Sequence, residues 1–287
     1  MTAIYKREVK SFLTSMIGYV FIAFLLAVAG IYFSAYHLQG LYTQFSYTLQ
    51  GMLFVFLIAV PILSMRVLAE ERKTRTDQLL LTSPVSVSGI VLGKYLALVT
   101  IFLIPVLILM LYPLILTQFG TVSLRTAYTA LFGFFLLGCS FLSIGLFLSS
   151  VTESQVIAAV LTFAVLLACY LSQGIASFFP ETAAASFLAF LLFGAVLALA
   201  LYYMTRHTLL SVITFAAVDG VFIVLYVLNS SLYEGLIQKL FDILDITAPF
   251  YEFSNGILDL TGFVYYLSII FIFLFLTVQS IQKRRWS

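Results

Sequence analysis

Residues 16–36 have the sequence MIGYVFIAFLLAVAGIYFSAY, which contains no charged residue. A helix of about 20 apolar residues is long enough to cross the hydrocarbon core of a bilayer. The uncharged region extends in both directions, because residues 11–65 contain no Asp, Glu, Lys or Arg. The apolar region of a cleavable signal peptide is much shorter. We therefore interpret residues 16–36 as the first of several membrane spans.

The composition extends this interpretation to the whole chain. Of its 287 residues, 63% are hydrophobic and only 9% are charged, whereas about 25% of the residues in a soluble domain are charged. This balance excludes a soluble globular protein, a disordered chain and a nucleic-acid-binding module. The two cysteines, Cys139 and Cys169, lie in apolar runs and form no CxxC motif. The sequence therefore predicts neither a disulfide framework nor a metal site.

Further apolar runs predict an all-α, polytopic transmembrane helical bundle of about eight spans. The predicted spans are residues 16–36, 50–68, 92–117, 127–150, 155–178, 184–205, 208–229 and 263–282. Short polar or turn-forming sequences separate them, and the shortest separator lies around Arg206. Six spans with additional re-entrant segments are the alternative.

The basic residues predict the orientation of the bundle. With both termini in the cytoplasm, 12 of the 14 Lys and Arg residues lie on the cytoplasmic side. These are Lys6, Arg7, Lys10, Arg66, Arg72, Lys73, Arg75, Lys94, Arg206, Lys283, Arg284 and Arg285. Only Arg125 and Lys239 lie outside. Since cytoplasmic loops of membrane proteins carry an excess of Lys and Arg, both termini are predicted to be cytoplasmic and the number of spans even.

Two amphipathic segments are too polar to span the membrane. Residues 1–15 place Tyr5, Phe12 and other apolar residues at helical spacing among Lys6, Arg7 and Lys10, which predicts an interfacial helix on the inner leaflet. Residues 231–262 form the second, extracytoplasmic segment, which we expect to rest on the outer surface. Its predicted apolar face comprises Leu232, Leu236, Ile237, Leu240, Phe241 and Leu244.

The cytoplasmic loop 66–88 concentrates charge and then ends in exposed leucines. Residues 70–81 predict a short helix, which Ser83 and Pro84 end because proline lacks an N–H and restricts the residue before it. The leucines at 79–81 must be buried in the membrane, in this chain or in a partner. One interpretation is that they insert into the bilayer while the charged residues form a solvated face. The other is that the loop binds a partner protein.

The sequence carries no recognisable catalytic or nucleotide-binding motif. His37 and His207 are far apart, and neither HExxH nor GxSxG occurs. Residues 89–95, GIVLGKY, differ from a phosphate-binding loop, which has four residues between its glycines and Ser or Thr after the lysine. We therefore expect no enzymatic activity, no cofactor and no bound metal in this chain.

The loop and several other segments resemble one family of transport proteins. The segments are MRVLAEER at 65–72, TDQLLLTSPVS at 76–86, IVLGKY at 90–95, FYEF at 250–253, GILDL at 256–260, VYYLS at 264–268, RRW at 284–286 and KREVKSF at 6–12. Together they resemble an ABC-2-type transporter permease subunit, in particular the permeases related to the gliding-motility ABC transporter. The chain departs from the six-span core of that family by an additional pair of spans at 184–230, and it has Thr76 where many relatives have glycine.

The resemblance implies a single transmembrane permease domain over residues 1–287, located in the cell (inner or plasma) membrane. A separate cytoplasmic ABC ATPase subunit would bind ATP and Mg and dock on the loop. A second permease subunit, identical or related, would complete the conduit, and an extracytoplasmic accessory protein is possible. Members of this family are mostly exporters. The implied coupling residues are Arg66, Glu70, Glu71, Arg72, Lys73, Thr76, Asp77, Leu79, Leu80, Leu81, Ser83 and Pro84. The charged ones would contact the ATPase, and the leucines would anchor the helix.

Asp219 is the acidic residue nearest the centre of a predicted span. A charged Asp there costs about 2.5–3.5 kcal/mol on insertion scales. It could line a substrate or proton pathway, or it could be a carboxylic acid hydrogen-bonded to a neighbouring span. Two alternative functions therefore stay open. One is an ion-coupled secondary transporter that uses Asp219, and the other is a membrane scaffold that recruits a soluble partner through residues 66–84.

Overall fold

A computed structural model describes residues 1–76, 85–205 and 208–286 of the chain. Throughout these residues the backbone forms helices joined by turns and irregular segments, and it forms no strand. The prediction of an all-α fold is therefore confirmed. The chain divides into two compact units, one of residues 1–168 with 246–287 and one of residues 169–245. The single permease domain stays a prediction.

Among the described residues, six helices are long and apolar enough to cross a membrane. They are Met16–Gln39, Ser46–Lys73, Val87–Leu116, Leu124–Val151, Gln155–Ala176 and Leu260–Lys283. A seventh is possible if Asp219–Leu228 and Ser230–Leu244, which meet at a bend of 119°, form one broken span. Helices also occupy Ala183–Thr205 and Thr208–Leu228, where we predict the additional pair. The count of eight spans and the cytoplasmic position of both termini stay predictions.

The first unit is built from the long helices and several shorter ones. In chain order its helices are α1 (Thr2–Thr14), α2 (Met16–Phe33), α3 (Ser46–Ser64), α4 (Arg66–Lys73), α5 (Val87–Leu109), α6 (Leu111–Leu116), α7 (Leu124–Val151) and the first part of α8 (Gln155–Ala176). A π-helix at Ser34–Gln39 extends α2. Helix α7 lies at the centre, in contact with α3, α4, α5 and the C-terminal helices of the unit.

Phenylalanine rings form the core around α7. The rings of Phe56, Phe102, Phe134 and Phe141 are fully buried, with centroids 4.9–6.0 Å apart for the pairs that are in contact. A Cβ atom at Gly138 would overlap the Phe102 ring, so the glycine makes room for these side chains. Small residues of this kind let helices in a membrane protein pack closely.

The second unit contains a helical hairpin and a short amphipathic helix. Helices α9 (Ala183–Thr205) and α10 (Thr208–Leu228) run antiparallel, with the Phe187 and Tyr226 rings stacked at 4.3 Å and those of Phe190 and Phe222 at 5.3 Å. A 3₁₀ turn at Ser230–Tyr233 leads to α11 (Leu236–Leu244). Helix α11 lies within residues 231–262, where we predict an extracytoplasmic amphipathic segment, and its position at the outer surface stays a prediction.

A later part of that predicted segment belongs to the first unit. Residues Ala248–Ser254 form a helix, α12, that packs against α7 in the first unit. The side chains of Phe250 and Phe253 are completely or almost completely buried, and Gly133 leaves the space that Phe253 occupies. Burying two aromatic side chains of 150–250 Å² each favours insertion over a surface position. The chain then continues into the last helix, α13 (Leu260–Trp286).

Candidate functional site: the loop helix and its ion-pair ring

The charged loop forms a short helix, α4, at the end of α3. We call α4 (Arg66–Lys73) the loop helix. Its apolar residues Val67, Leu68 and Ala69 are buried, and the side chains of Arg66 and Glu70, one turn apart, form an ion pair. The helix thus begins four residues earlier than the predicted 70–81 and ends at Lys73. The predicted start at residue 70 is wrong because the buried apolar face starts at Val67. Residues 77–81 of the predicted helix lie outside the described residues.

Arg75 accounts for the early end of the loop helix. Its backbone adopts the left-handed conformation, with φ of 56°. The Arg75 N–H donates to the Arg72 carbonyl at 3.1 Å, and the Thr76 N–H donates to the Glu71 carbonyl at 3.0 Å. This pair of bonds is a Schellman motif, in which glycine is the usual residue at the left-handed position. An arginine at this position is strained, and strained backbone is concentrated at functional sites.

Four charged side chains form a closed ring that joins the loop helix to α1 and α5. Arg7 pairs with Glu8 at 2.6 Å and with Glu71 at 2.9 Å, and Lys94 pairs with Glu8 at 3.2 Å and with Glu71 at 2.8 Å. We call these four residues the ion-pair ring. Since it contains two cations and two anions in alternation, its formal charge is zero. It links three helices that are distant in sequence.

Lys94 is the most deeply buried member of the ring. Its side chain is 0% exposed, compared with 12% for Glu8 and 17% for Glu71. Besides the two carboxylates, the Lys94 ammonium donates to the Val67 carbonyl at 3.0 Å. An ammonium has three N–H donors, and three oxygen atoms lie within 3.2 Å of it. A buried charge is tolerated when it is paired and its hydrogen bonds are satisfied.

The ring also determines the protonation of Glu8. Burial alone would raise the pKa of this carboxyl group, but the charge of Lys94 and the hydrogen bond from Arg7 outweigh it, so the pKa is lowered from 4.5. Glu8 therefore faces its two cations in the ionised form. A cleft of about 300 Å³ lies beside the ring and is lined by residues of α1 and the loop helix, including Ser11, Arg66 and Thr74.

On its other side the loop helix is attached to the last turn of α7. The Arg72 guanidinium donates to the Ser150 carbonyl at 3.3 Å and pairs with Glu153 at 3.2 Å. The Ser149 hydroxyl contacts the backbone at the start of the loop helix. The loop helix is consequently bonded to four helices, since it also follows directly from α3.

The predicted coupling residues divide into three groups. Glu71 and Arg72, which we expected to contact a partner, point into the protein and are bonded to its own residues, and Glu70 pairs with Arg66. Lys73 and Thr76 are exposed. The remaining predicted residues, Asp77, Leu79, Leu80, Leu81, Ser83 and Pro84, lie outside the described residues.

Sequence reasoning missed the partners of these residues. From the sequence, Arg7 and Lys94 contribute only to the predicted orientation, and neither Glu8 nor Ser149 is a predicted site residue. One signal could have revealed the ring, because Lys94 interrupts an apolar helix and a lysine there needs an acidic partner.

Asp219, the intramembrane candidate, belongs to α10 in the second unit, and its side chain packs against α9. It is 3% exposed, and its carboxyl oxygens have no hydrogen-bond partner among the described residues. Its Oδ1 atom occupies the space where a side chain at position 194 would begin, so Gly194 is required for this packing. Within the part of the chain that the structure describes, no group of His, Cys, Asp and Glu could hold a metal ion.

The geometry is that of a multi-pass helical membrane protein in which a short charged helix is bonded to the spans. Residues 38–191, slightly more than half of the chain, match the family model described as ABC-2 family transporter protein. The chain belongs to this family and is a permease subunit of an ABC transporter, a class that works with an ABC ATPase. The matched region includes the loop helix and all of α7. A comparison with the curated proteins gave no match.

Proposed function

We propose that this chain is the permease of an exporter in the cell (inner or plasma) membrane, driven by a separate cytoplasmic ATPase that docks on the loop helix. The observation that carries the proposal is the double attachment of the loop helix, through the ion-pair ring and through the last turn of α7. A short helix held in this way moves with the spans rather than independently of them.

The exposed end of the loop helix supplies the docking surface. Lys73, Thr74, Arg75 and Thr76 are all exposed, whereas Glu71 and Arg72 are engaged inside the protein. In this proposal the exposed end contacts the ATPase, and the inward-facing residues transmit its displacement to α1, α5 and α7. Closure of the ATPases on ATP would then bias the bundle towards a state open to the outside.

The same proposal assigns the remaining parts of the transporter. A second permease subunit, identical or related, completes the conduit, and the ATPase subunits bind ATP and Mg, so this chain needs no cofactor and is not an enzyme. The resemblance of the segments quoted above supports a relation to the permeases of the gliding-motility transporter. An extracytoplasmic accessory protein would bind the opposite face.

Co-purification tests the docking proposal. The tagged chain, extracted in mild detergent, should carry a subunit with a phosphate-binding loop and a vanadate-sensitive Mg-ATP hydrolysis. Reversing both charges of the exposed end, in Lys73→Glu with Arg75→Glu, should remove the subunit and the hydrolysis while the chain still inserts into the membrane. Arg125→Glu is the matched control, because Arg125 is equally exposed but lies at the opposite end of α7. Equal ATPase yield from all three proteins would contradict the proposal.

The two alternatives predict other results. An ion-coupled secondary transporter that uses Asp219 would purify without ATPase. A membrane scaffold would bring down a soluble partner through the loop, but Mg-ATP hydrolysis would not depend on the complex. One observation favours the first alternative: the carboxyl group of Asp219 is buried and has no hydrogen-bond partner among the described residues. The family match favours an ABC permease.

A further inference from the structure

Ser149 lies at the joint between α3 and the loop helix. Its hydroxyl accepts hydrogen bonds from the N–H groups of Leu68, at 3.2 Å, and Ala69, at 3.1 Å. The same hydroxyl donates to the carbonyl of Met65 at 3.0 Å. Met65 is the residue that interrupts the two helices. In an uninterrupted helix these N–H groups would donate only to the carbonyls four residues earlier, so a side chain from α7 supplies an additional acceptor at the interruption.

These bonds use the full capacity of the hydroxyl. A serine side chain has one O–H donor and two acceptor lone pairs, and all three are engaged across the joint. A residue that caps a helix normally belongs to the same chain segment, but here the cap comes from another span about 80 residues further along the chain.

A serine two turns earlier on α7 provides a contrast. Ser143 is as deeply buried as Ser149, but its hydroxyl donates to the Ser140 carbonyl of its own helix at 2.7 Å. The Ser143 hydroxyl therefore forms its hydrogen bond within its own helix. Two buried serines on the same span thus differ only in whether their hydroxyls reach another helix.

From these contacts we infer that Ser149 is a positioning residue for coupling: its hydroxyl fixes the start of the loop helix to the end of α7, so that a displacement of the loop helix moves α7. This inference rests on the proposed function. Arg72, one turn further along the loop helix, contacts Ser150 and Glu153. Ser149 thereby holds the first turn of the loop helix and Arg72 its last turn, so both ends of the helix are fixed to the same span.

Hydrogen exchange on the chain alone, in lipid nanodiscs, tests the local part of this inference. In Ser149→Ala, peptides covering 66–73 should exchange about tenfold faster at the Leu68 and Ala69 amides, because each loses the Ser149 hydroxyl as an acceptor. Ser143→Ala should leave these peptides unchanged. Unchanged exchange in Ser149→Ala would overturn the inference whether or not an ATPase ever binds.

ATP turnover of the assembled complex tests the coupling part. With Mg-ATP as the probe, Ser149→Ala should lower kcat at least threefold, towards the rate of the isolated ATPase subunit, with unchanged KM for ATP and unchanged yield of that subunit. Ser143→Ala should keep the wild-type kcat. A fall in turnover that only matches a fall in ATPase yield would indicate a folding role and overturn the inference. If the wild-type chain bound no ATPase, the proposed function would fail, and the exchange result would still stand.

Discussion

The two units bury carboxyl groups in opposite ways. In the first unit, Glu8 and Glu71 each face two cations in the ion-pair ring, and the ring joins three helices. In the second unit, Asp219 has no hydrogen-bond partner among the described residues, and its oxygen fills the space above Gly194. The first arrangement depends on charge, whereas the second depends on volume. Substitutions should therefore separate the two units by mechanism.

The loss of one charge from the ring should have the largest effect. In Lys94→Met, the two carboxylates keep a single cation between them and Val67 loses a hydrogen-bond donor, which should destabilise the protein by about 3–5 kcal/mol. Thermal unfolding in detergent measures this effect. Lys73→Met is the matched control, since Lys73 is exposed and its loss should change stability by less than about 0.5 kcal/mol. Equal melting temperatures for the two variants would show that the ring contributes little.

Added volume should dominate in the second unit. A Cβ atom at Gly194 would overlap Oδ1 of Asp219, and such overpacking costs about 1–3 kcal/mol. Gly220 follows Asp219 directly, and a Cβ atom there would meet nothing within 4 Å. Gly220→Ala should therefore stabilise the helix by up to about 1 kcal/mol, while Gly194→Ala lowers the melting temperature.

A second substitution identifies the cause of the Gly194 effect. If the overlap with Asp219 is responsible, Gly194→Ala combined with Asp219→Ala should recover most of the lost stability. Gly194→Ala with wild-type stability, or a double variant no better than the single one, would show that volume at this contact is unimportant.

The sequence predicts the helices of both units better than it predicts their bonds. Apolar runs long enough to span a bilayer are a local property, and six of the predicted spans correspond to helices that pass the same test of length and composition. The ion-pair ring joins residues 7, 8, 71 and 94, and no local pattern specifies that these side chains meet. The alternation of charges becomes visible only once α1, the loop helix and α5 are placed side by side.

Two features of the structure could not be predicted from the sequence, for physical reasons of the same kind. Phe250 and Phe253 lie in a segment whose polar residues predict a surface position, but their burial against α7 places the helix inside the first unit. Ser149 is a small residue at helical spacing from Gly138 and Gly145, which indicates packing. Its hydroxyl bonds to the backbone at a helix interruption. The sequence does not predict this interruption, because Met65 is an ordinary helix former.

The smallest expected effect concerns the pH dependence of the ring. The pKa of Glu8 is lowered in the folded protein, because Lys94 and Arg7 outweigh the opposing effect of burial. A group with a lowered folded-state pKa contributes stability above its unfolded pKa and loses that contribution as the pH falls through the folded value. The unfolded value is near 4.5, so wild-type protein should lose stability as the pH falls below about 5.

In Glu8→Gln this loss should be smaller, because the titrating group is absent. Melting temperatures between neutral and acidic pH, measured for both proteins in one detergent, provide the comparison. Parallel curves would show that Glu8 is not ionised in the ring.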